Sequence, residues 1–398
     1  MQKCLICGGK LHHLLSIPDM PASAQNIPDE DEVSSDKPIM LNLCQCEECG
    51  LIQLDTVPVD YYKDVIRAGG GTTTMTRLRH EEYDRLIHFM DQYGAEGHHI
   101  VEIGCGKGEF LAMWKSLPQA GQIKDLQVCG IEHRKDLVDT ANRQGLAVYE
   151  GFAQDGYAIP DGPFDAFVQF NFLEHQPYPE SMLRCVRNNL KEGALGLVTV
   201  PSFEYIMKYD GYYELIRDHI ANYDERTLRE LFERCGFEAL AERIVNRDTI
   251  EIIVRKSDKP VRTKSDFNGE YLDVSSLADN YEALRKDVDS YIRELRDAHR
   301  SLAMWGGSHQ GFSLAASTDL KQIVKYIIDS APFKQGRYSP ASHIRIVSPD
   351  YYFKDPVDEI LIVAPGYTDE IAGIIKDRYG DHVRIRVLKA EKIEDYRS

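Results

Sequence analysis

The stretch VEIGCGKGEF, residues 101–110, places three glycines between an apolar run and a second segment rich in apolar residues. The run HHIVEIG is typical of a buried strand, and the residues from Glu109 to Met113 are typical of a helix start. Gly104, Gly106 and Gly108 therefore form a tight turn between a predicted strand and a predicted helix. The pattern predicts a cofactor-binding turn. A plain strand-to-helix turn, whose glycines serve only positive φ angles, is the alternative.

Two kinds of cofactor compete for this turn. A dinucleotide-binding turn has the pattern G-x-G-x-x-G, in which the third glycine lets the helix pack closely. Here Glu109 stands three residues after Gly106, and the acidic Glu102 before the turn suits a cationic ligand better than a pyrophosphate. The pattern G-x-G-x-G after an acidic residue resembles the first motif of class I S-adenosylmethionine methyltransferases. The resemblance implies that Glu102, Gly104, Gly106 and Gly108 bind this cofactor.

The next two strands end in residues that suit the same ligand. The strand LQVCGIEHR places Glu132 at its carboxyl end, about 26 residues after Gly106, where a carboxylate can accept both ribose hydroxyls of a nucleoside. The segment GFAQD, residues 151–155, follows a third short strand. The resemblance implies that Ala153 and Gln154 contact the adenine there.

A fourth strand, FDAFVQF, leads into NFLEHQPYP, which contains Asn171, Glu174 and His175. This segment resembles the xxLEHxxxP segment of the same methyltransferases, and Asn171 is a further candidate for cofactor binding. Four features thus occur in the expected order on alternating strands and helices. They predict an α/β class I methyltransferase core over residues 75–255.

Composition narrows the class of protein. The chain has 398 residues and 43% hydrophobic residues, enough for two or three domains with their own cores. Its net charge of -17 would repel a phosphate backbone, so a nucleic-acid partner is disfavoured. The sequence shows no charged-then-apolar leader and no apolar run near 18 residues. We therefore expect a cytoplasmic protein without a membrane partner.

Two C-x-x-C pairs predict a metal site in the N-terminal region. Cys4 and Cys7 form the first pair, and Cys46 and Cys49 form the second. Two such pairs close a tetrahedral thiolate site suited to Zn²⁺, and four thiolates leave no open position, so the ion would be structural. Cys44 is a fifth candidate that leaves the register of the second pair uncertain. Unrelated reduced cysteines are the alternative.

Four segments follow from the changes in pattern along the chain. Residues 1–60 form a loop-rich zinc module with a hairpin-like LNLCQCEECGLIQL, and residues 61–257 form the methyltransferase domain. Residues 258–300 are a polar linker and a long helix with apolar residues on one face. Residues 301–398 alternate strands and helices again, which predicts a smaller Rossmann-like α/β domain with a parallel sheet.

The whole chain, rather than one motif, resembles the sugar C-methyltransferases that act on nucleotide-linked keto-deoxysugars. The resemblance includes the zinc module, the class I core, and the C-terminal segments GGSHQG and DSAPFKQGRYSP. It implies S-adenosylmethionine and structural zinc as cofactors and a nucleotide-activated sugar as substrate, with monomer and homodimer both open. It also implies that His309, Lys334 and Arg337 in these segments bind substrate, although solvated basic residues on a turn are the alternative.

The reaction of that family requires a base that removes a proton next to a ketone and a group that stabilises the enolate oxygen. The family carries a Y-x-E-H segment that matches Ile216 to His219 here. The match implies that His219 is the base and Asp218 its acidic partner, with His175 as a third catalytic candidate. Ile216 stands where the family has tyrosine. A histidine that only packs against a helix is the alternative for His219.

A second departure lies at Ile66, Arg67 and Ala68, where the family has a segment with tyrosine and many serines. Arg67 or Arg217 could replace the phenols as a cationic group that also binds substrate. The departures leave methylation of an oxygen or nitrogen open. A zinc-containing adaptor that binds S-adenosylmethionine or a nucleotide without catalysis is the alternative from another class.

Overall fold

The computed structural model describes residues 2–63, 73–95, 97–117, 123, 125–209, 211–259, 262–389 and 392–397. In chain order the strands are β1 (Leu11–Met20), β2 (Ile39–Cys46), β3 (Ile52–Leu54), β4 (His98–Ile103), β5 (Leu126–Glu132), β6 (Ala147–Glu150), β7 (Phe164–Phe170), β8 (Leu190–Pro201), β9 (Ala221–Asn222), β10 (Phe237–Val245), β11 (Thr249–Lys256), β12 (Leu302–Trp305), β13 (Val324–Ile328), β14 (Ile346–Val347), β15 (Glu359–Ile362), β16 (Arg384–Lys389) and β17 (Lys392–Asp395). The helices are α1 (Thr73–Gln92), α2 (Glu109–Lys115), α3 (Lys135–Arg143), α4 (Pro179–Asn188), α5 (Phe203–Lys208), α6 (Glu225–Arg234), α7 (Ser275–Asp297), α8 (His309–Ser317) and α9 (Thr368–Tyr379). These elements build three sheets.

The N-terminal sheet has the order β1-β2-β3-β9, and each neighbouring pair is antiparallel. The hairpin predicted from LNLCQCEECGLIQL is present as β2 and β3. Strand β1 extends through Met20 into the stretch predicted to be loop, because Ile17 and Met20 are buried. Strand β9 comes from much later in the chain, so the N-terminal module and the central domain share a sheet.

The central sheet has the order β10-β11-β8-β7-β4-β5-β6, with β11 antiparallel to both of its neighbours and the other neighbouring pairs parallel. The chain proceeds from β4 to β6 in one direction and returns to β7 on the other side of β4. The topological switch point therefore lies between β4 and β7, where α/β folds bind ligands at the carboxyl ends of the strands. This topology confirms the predicted class I methyltransferase fold.

Helices cover both faces of the central sheet. On one face, α1 and α2 pack on the sheet through Tyr83, Phe110 and Trp114. On the other face, α4 and α6 pack through residues such as Leu183 and Phe232. The central strands are therefore buried on both sides, as their continuous apolar character predicts.

The C-terminal sheet has the order β14-β13-β12-β15-β16-β17, in which only β17 is antiparallel to its neighbour. It confirms the predicted second α/β domain. Helix α7 begins at Ser275, before the stretch predicted to be helical, and buries Tyr281, Leu284 and Val288 on one face. This face belongs to one apolar cluster with residues of the N-terminal and C-terminal sheets, so these two parts of the molecule share a core.

None of the helices that the structure describes is both long enough and apolar enough to cross a membrane.

Candidate active site

The glycine turn after β4 has the backbone that its sequence demands. Gly104, Gly106 and Gly108 have φ angles of 69°, 60° and 85°, in the left-handed region that favours glycine. Glu132, at the end of β5, accepts hydrogen bonds from the amides of Gly106 and Arg134, each at 2.9 Å. The predicted ribose-binding carboxylate thus also holds the turn in place.

A small pocket lies against this turn. Its lining includes Gly104, Ile131, Glu132, Phe152, Ala153 and Phe172. A Cβ atom on Gly106 would meet only Glu109 Oε2, at 3.7 Å, so the turn faces open space. Glu102 is fully buried in β4, beneath the turn.

The residues present fit S-adenosylmethionine. Ile131, Phe152 and Ala153 offer apolar walls for the adenine, and Glu132 offers a carboxylate for the ribose hydroxyls. The space beside Gly106 leaves room for the methionine part. The two phenylalanines in the lining were missed at the sequence level, although Phe152 lies inside the quoted GFAQD segment.

The structure gives further information on three of the predicted cofactor residues. A Cβ atom on Gly108 would lie 2.4 Å from Leu146 Cδ1, so this glycine allows close packing, and its contact with the cofactor stays a prediction. Asn171 accepts a hydrogen bond from the Thr199 hydroxyl at 3.1 Å at the end of the neighbouring strand. The side chain of Gln154 is exposed. Direct cofactor contacts by Asn171 and Gln154 stay predictions.

Three imidazoles meet beside the switch point. His175 lies in a short 3-10 turn after β7, and its ring centroid is 4.7 Å from that of His219. Its Nδ1–H donates to the Asp218 carbonyl at 2.8 Å. His309, at the start of α8, has its ring centroid 6.5 Å from that of His219. The central and C-terminal domains thus both contribute to one cluster.

These surroundings keep the inner two rings neutral. Burial lowers the pKa of His175 to about 4, although Asp218 partly opposes the shift. Burial, together with the neighbouring His175 and His309, holds the pKa of His219 well below its ordinary value. The His219 ring is half-buried and, within the described part of the chain, no side chain or backbone group hydrogen bonds to it. A neutral imidazole with a free lone pair can accept a proton.

His309 is anchored by a carboxylate that the sequence analysis missed. Its Nε2–H donates to Glu214 Oε2 at 2.8 Å, and the Gln310 amide donates to Glu214 Oε1 at 3.1 Å. Burial raises the pKa of Glu214, but these hydrogen bonds outweigh it, so the net pKa lies below its ordinary value. Glu214 therefore stays ionised and orients His309. It lies five residues before His219, in the stretch YYELIRDH that ends in the predicted base, and that proximity was the available signal.

Asp218 does not pair with the His219 ring, which corrects the predicted role of an acidic partner. Its Oδ1 accepts from the Tyr61 hydroxyl at 2.5 Å, and its Oδ2 accepts from the Ala24 amide at 2.8 Å. The carboxylate is thus used to hold the N-terminal module. Burial and the nearby Asp218 raise the pKa of Tyr61, so this phenol keeps its proton. Ile216 is buried and brings no polar group to the site.

The predicted substrate-binding arginines hold the N-terminal module. Arg217 donates from Nε to the Val57 carbonyl at 3.0 Å, and Arg337 donates to the Ile27 carbonyl at 2.9 Å. Arg67 lies outside the described residues. Substrate contacts by these arginines stay predictions.

A second glycine turn, at Gly306 and Gly307, connects β12 and α8, and Lys334 contacts it from the loop after β13. Its Nζ donates to the Gly307 carbonyl at 2.7 Å and to Asp329 Oδ2 at 3.1 Å. Both acceptors belong to the turn and to the end of the adjacent strand, so the ammonium group stabilises the loop that precedes His309.

A cleft of about 360 Å³ lies between the central domain and the C-terminal sheet. Its lining includes Tyr205, Tyr209, Tyr213, Glu214, Lys389 and Arg397. Because Glu214 also holds His309, the cleft borders the imidazole cluster. Aromatic rings, basic side chains and the carboxylates of Glu214 and Asp369 line this cleft, which reaches His309 through Glu214.

The predicted metal ligands form one compact group. The Sγ atoms of Cys4 and Cys49 are 3.4 Å apart, as are those of Cys7 and Cys46, and all four lie within 4.8 Å of one another. Thiolates around one Zn²⁺ stand about 3.8 Å apart, so the group fits such an ion. Cys44 is not part of it, and burial raises the pKa of its thiol to about 11.

Comparison with known proteins agrees with this architecture. A family described as a methyltransferase domain matches residues 75–242, and a family described as a C-methyltransferase C-terminal domain matches residues 270–383. The C-methyltransferase NovU of Streptomyces niveus is 23% identical over 397 residues, which cover 93% of this chain and 91% of NovU. The ubiquinone biosynthesis O-methyltransferase of Chromobacterium violaceum is 24% identical over 147 residues, which cover 35% of this chain and 60% of that protein.

The solved structures that resemble part of the chain include two methyltransferases. The magnesium protoporphyrin IX methyltransferase ChlM of Synechocystis PCC 6803 is 13% identical with a TM-score of 0.35, over 50% of this chain and 97% of ChlM. The plantazolicin methyltransferase BpumL is 12% identical with a TM-score of 0.37, over 47% of this chain and 86% of BpumL. With its sheet order and the two matching families, the chain is a class I S-adenosylmethionine-dependent methyltransferase with the domain composition of C-methyltransferases.

Proposed function

We propose that the protein transfers a methyl group to a carbon atom of a nucleotide-linked keto-deoxysugar, with His219 as the general base. The observation that carries the proposal is the neutral, half-buried ring of His219, which lies between His175 of the central domain and His309 of the C-terminal domain. NovU, which aligns over nearly the whole chain, is described as a C-methyltransferase.

The cleft beside Glu214 suits an acceptor of this kind. Three tyrosines, Tyr205, Tyr209 and Tyr213, can stack against a nucleobase, as aromatic side chains do in sites that bind bases. Lys389 and Arg397 supply positive charge for a diphosphate. A nucleoside diphosphate held there would place its sugar toward the imidazole cluster, because Glu214 belongs to both.

His219 would remove the proton next to the ketone. S-adenosylmethionine, when bound, supplies an electrophilic methyl group. His175, fixed through its Nδ1–H on the Asp218 carbonyl, packs edge-on against His219 and limits how its ring can turn. His309 is held by ionised Glu214 and provides a second oriented imidazole for the acceptor. Such oriented acid-base groups typically contribute about 10²–10⁴-fold to a rate.

Methyl transfer to an oxygen or nitrogen is the second candidate. Ile216 is a buried aliphatic residue where the family has a tyrosine, and the hydroxyl of Tyr61 already donates its proton to Asp218. Neither residue therefore offers a hydrogen-bond donor to an enolate oxygen, whereas His219 offers a base. A hydroxyl acceptor would need only the base.

The identity of the product tests the proposal. The enzyme is incubated with S-adenosylmethionine that carries a ¹³C methyl group and with a panel of nucleotide-linked keto-deoxysugars. Carbon NMR should show the label on a carbon atom of the sugar. Label on oxygen or nitrogen would replace the carbon reaction by the second candidate. Transfer to no member of the panel, with S-adenosylhomocysteine still bound, would favour the non-catalytic adaptor.

We also propose that Cys4, Cys7, Cys46 and Cys49 hold one structural Zn²⁺. After dialysis, elemental analysis should find about one zinc per chain. Cys49→Ser should lose the ion and loosen the N-terminal sheet, whereas Cys44→Ser, at a buried neighbouring thiol, should keep it. Equal zinc content in the two variants, or a zinc-free native protein, would contradict the assignment.

A further inference from the structure

Glu174 is a buried carboxylate beside the imidazoles for which the proposed mechanism has no use. It precedes His175 in the same short turn and is only 2% exposed. Within the described part of the chain, its Oε2 has no hydrogen-bond partner. A buried carboxylate oxygen without a partner is costly. Its position therefore points to a ligand that the protein atoms do not supply.

The carboxyl group of Glu174 and the rings of His175 and His219 together have the geometry of a metal site. Glu174 Oε1 is 3.8 Å from His175 Nε2, too far for a hydrogen bond, and ligand atoms of Glu174, His175 and His219 all lie within 4.8 Å of one another. Two ligands at about 2.1 Å from one ion stand about 3–4 Å apart. The oxygen and nitrogen therefore have the spacing of two ligands around one cation.

The second nitrogen of His175 supports the same reading. Its Nδ1–H donates to the Asp218 carbonyl, which leaves the lone pair of Nε2 on the side of Glu174. Histidines that bind metals usually donate their other ring N–H to a carbonyl or carboxylate in this way. His219 is half-buried and is the most exposed of the three residues.

We propose that Glu174, His175 and His219 bind a divalent transition-metal ion at a second site, apart from the four cysteines, and that this ion inhibits methyl transfer. Two imidazoles and one carboxylate suit Zn²⁺, Co²⁺ or Fe²⁺ better than Mg²⁺ or Ca²⁺. The ion takes the lone pair that His219 needs in order to accept a proton. The inhibition rests on the proposed function, whereas the binding does not.

Cobalt binding tests the site without any activity. Protein with zinc at the cysteines is titrated with Co²⁺, and both calorimetry and visible absorption are recorded. We expect one added ion per chain whose spectrum lacks thiolate charge transfer. Glu174→Gln, which keeps the side-chain volume, should weaken Co²⁺ binding by about 100-fold or more. Loss of a residue that only supports a metal ligand already costs up to about 100-fold in affinity. His88→Gln, at an exposed histidine of α1, should bind Co²⁺ like the native protein.

A second variant guards against misfolding of Glu174→Gln. His219→Gln changes a half-buried side chain and should also lose the added ion. The proposal is overturned if zinc-loaded native protein takes up no second ion, or if both variants bind it as tightly as the native protein does. Tyr223, whose buried hydroxyl also lacks a partner in the described residues, offers the rival explanation of a trapped water. Under that rival the zinc-loaded native protein takes up no second ion, whereas under the proposal Tyr223→Phe binds Co²⁺ like the native protein.

Inhibition of methyl transfer by the second ion is tested separately. Added Zn²⁺ should lower turnover, and a weak chelator that leaves the cysteine site loaded should restore it. Binding of the second ion without any loss of turnover would overturn the inhibition and leave the site standing. Failure of the proposed function would look different, because no keto-deoxysugar would then be methylated even in the chelator.

Discussion

The central and C-terminal domains build the same turn and use it differently. In the central domain, the Gly106 amide after β4 donates to Glu132 at the end of β5, at 2.9 Å. In the C-terminal domain, the Gly307 amide after β12 donates to Asp329 just after β13, at 3.0 Å. Both turns follow a central parallel strand and precede a helix. Their hydrogen bonds alone do not tell which turn binds a cofactor.

The two turns differ in the space that lies beside them. A Cβ atom on Gly106 would meet only one side-chain oxygen, at 3.7 Å. A Cβ atom on Gly307 would lie 2.8 Å from Asp329 Oδ2, and Lys334 donates hydrogen bonds to both the Gly307 carbonyl and Asp329. The first turn borders a cavity, whereas the second is packed and closed by a lysine. We infer that the second turn holds the start of α8 in place and so positions His309 at the site.

The largest expected effect is the loss of cofactor binding in Gly106→Val. The new side chain would occupy the space beside the turn, and a β-branched residue is strained at a φ of 60°. Calorimetry with S-adenosylhomocysteine should detect no binding. Gly193→Val is the matched control, since its φ is 73° and nothing lies within 4 Å of its Cβ position. Equal affinity of the two variants would break the comparison between an open and a closed turn.

The next effect concerns His309, which the second turn positions. His309→Asn should lower kcat by about 10²-fold, because it removes an oriented imidazole from the acceptor side, while affinity for S-adenosylhomocysteine stays unchanged. His382→Asn, at another histidine of the same domain, should keep its kcat. A loss of cofactor affinity in His309→Asn, with kcat unchanged, would reverse the roles that we assign to the two domains.

The smallest expected effect distinguishes the role of Glu132 from that of Asp329. Glu132→Gln should weaken binding of S-adenosylhomocysteine by about 1–3 kcal/mol, the usual cost of an unsatisfied buried partner. Asp329→Asn should leave that affinity unchanged and instead lower the free energy of unfolding by a similar amount, measured with urea. If Asp329→Asn weakened the cofactor as much as Glu132→Gln does, the second turn would also be a cofactor site.

The sequence predicts well what local patterns specify. The turn from Gly104 to Gly108 requires left-handed backbone, and two C-x-x-C pairs predict one group of four thiols, so both could be recognised from short stretches of sequence. The apolar runs of the parallel strands likewise predicted the two α/β domains. These features depend on a few neighbouring residues and the periodicity of the chain.

Contacts between distant segments could not be predicted. Glu214 and His309 are 95 residues apart, and Tyr61 and Asp218 are 157 residues apart. Their meeting depends on how β9 joins the N-terminal sheet and how α8 packs beside the central domain. For this reason the sequence predicts Asp218 as a partner of His219, whereas its carboxylate binds Tyr61 and Ala24 of the N-terminal module.

Solvent exchange tests the central claim that His219 is a base for carbon. In D₂O, with S-adenosylhomocysteine bound in place of the donor, the enzyme should introduce deuterium next to the ketone of a nucleotide-linked keto-deoxysugar, as followed by NMR. His219→Gln should lose this exchange, and His88→Gln should retain it. Exchange that persists at the native rate in His219→Gln, or methyl transfer to carbon with full activity in that variant, would contradict the account.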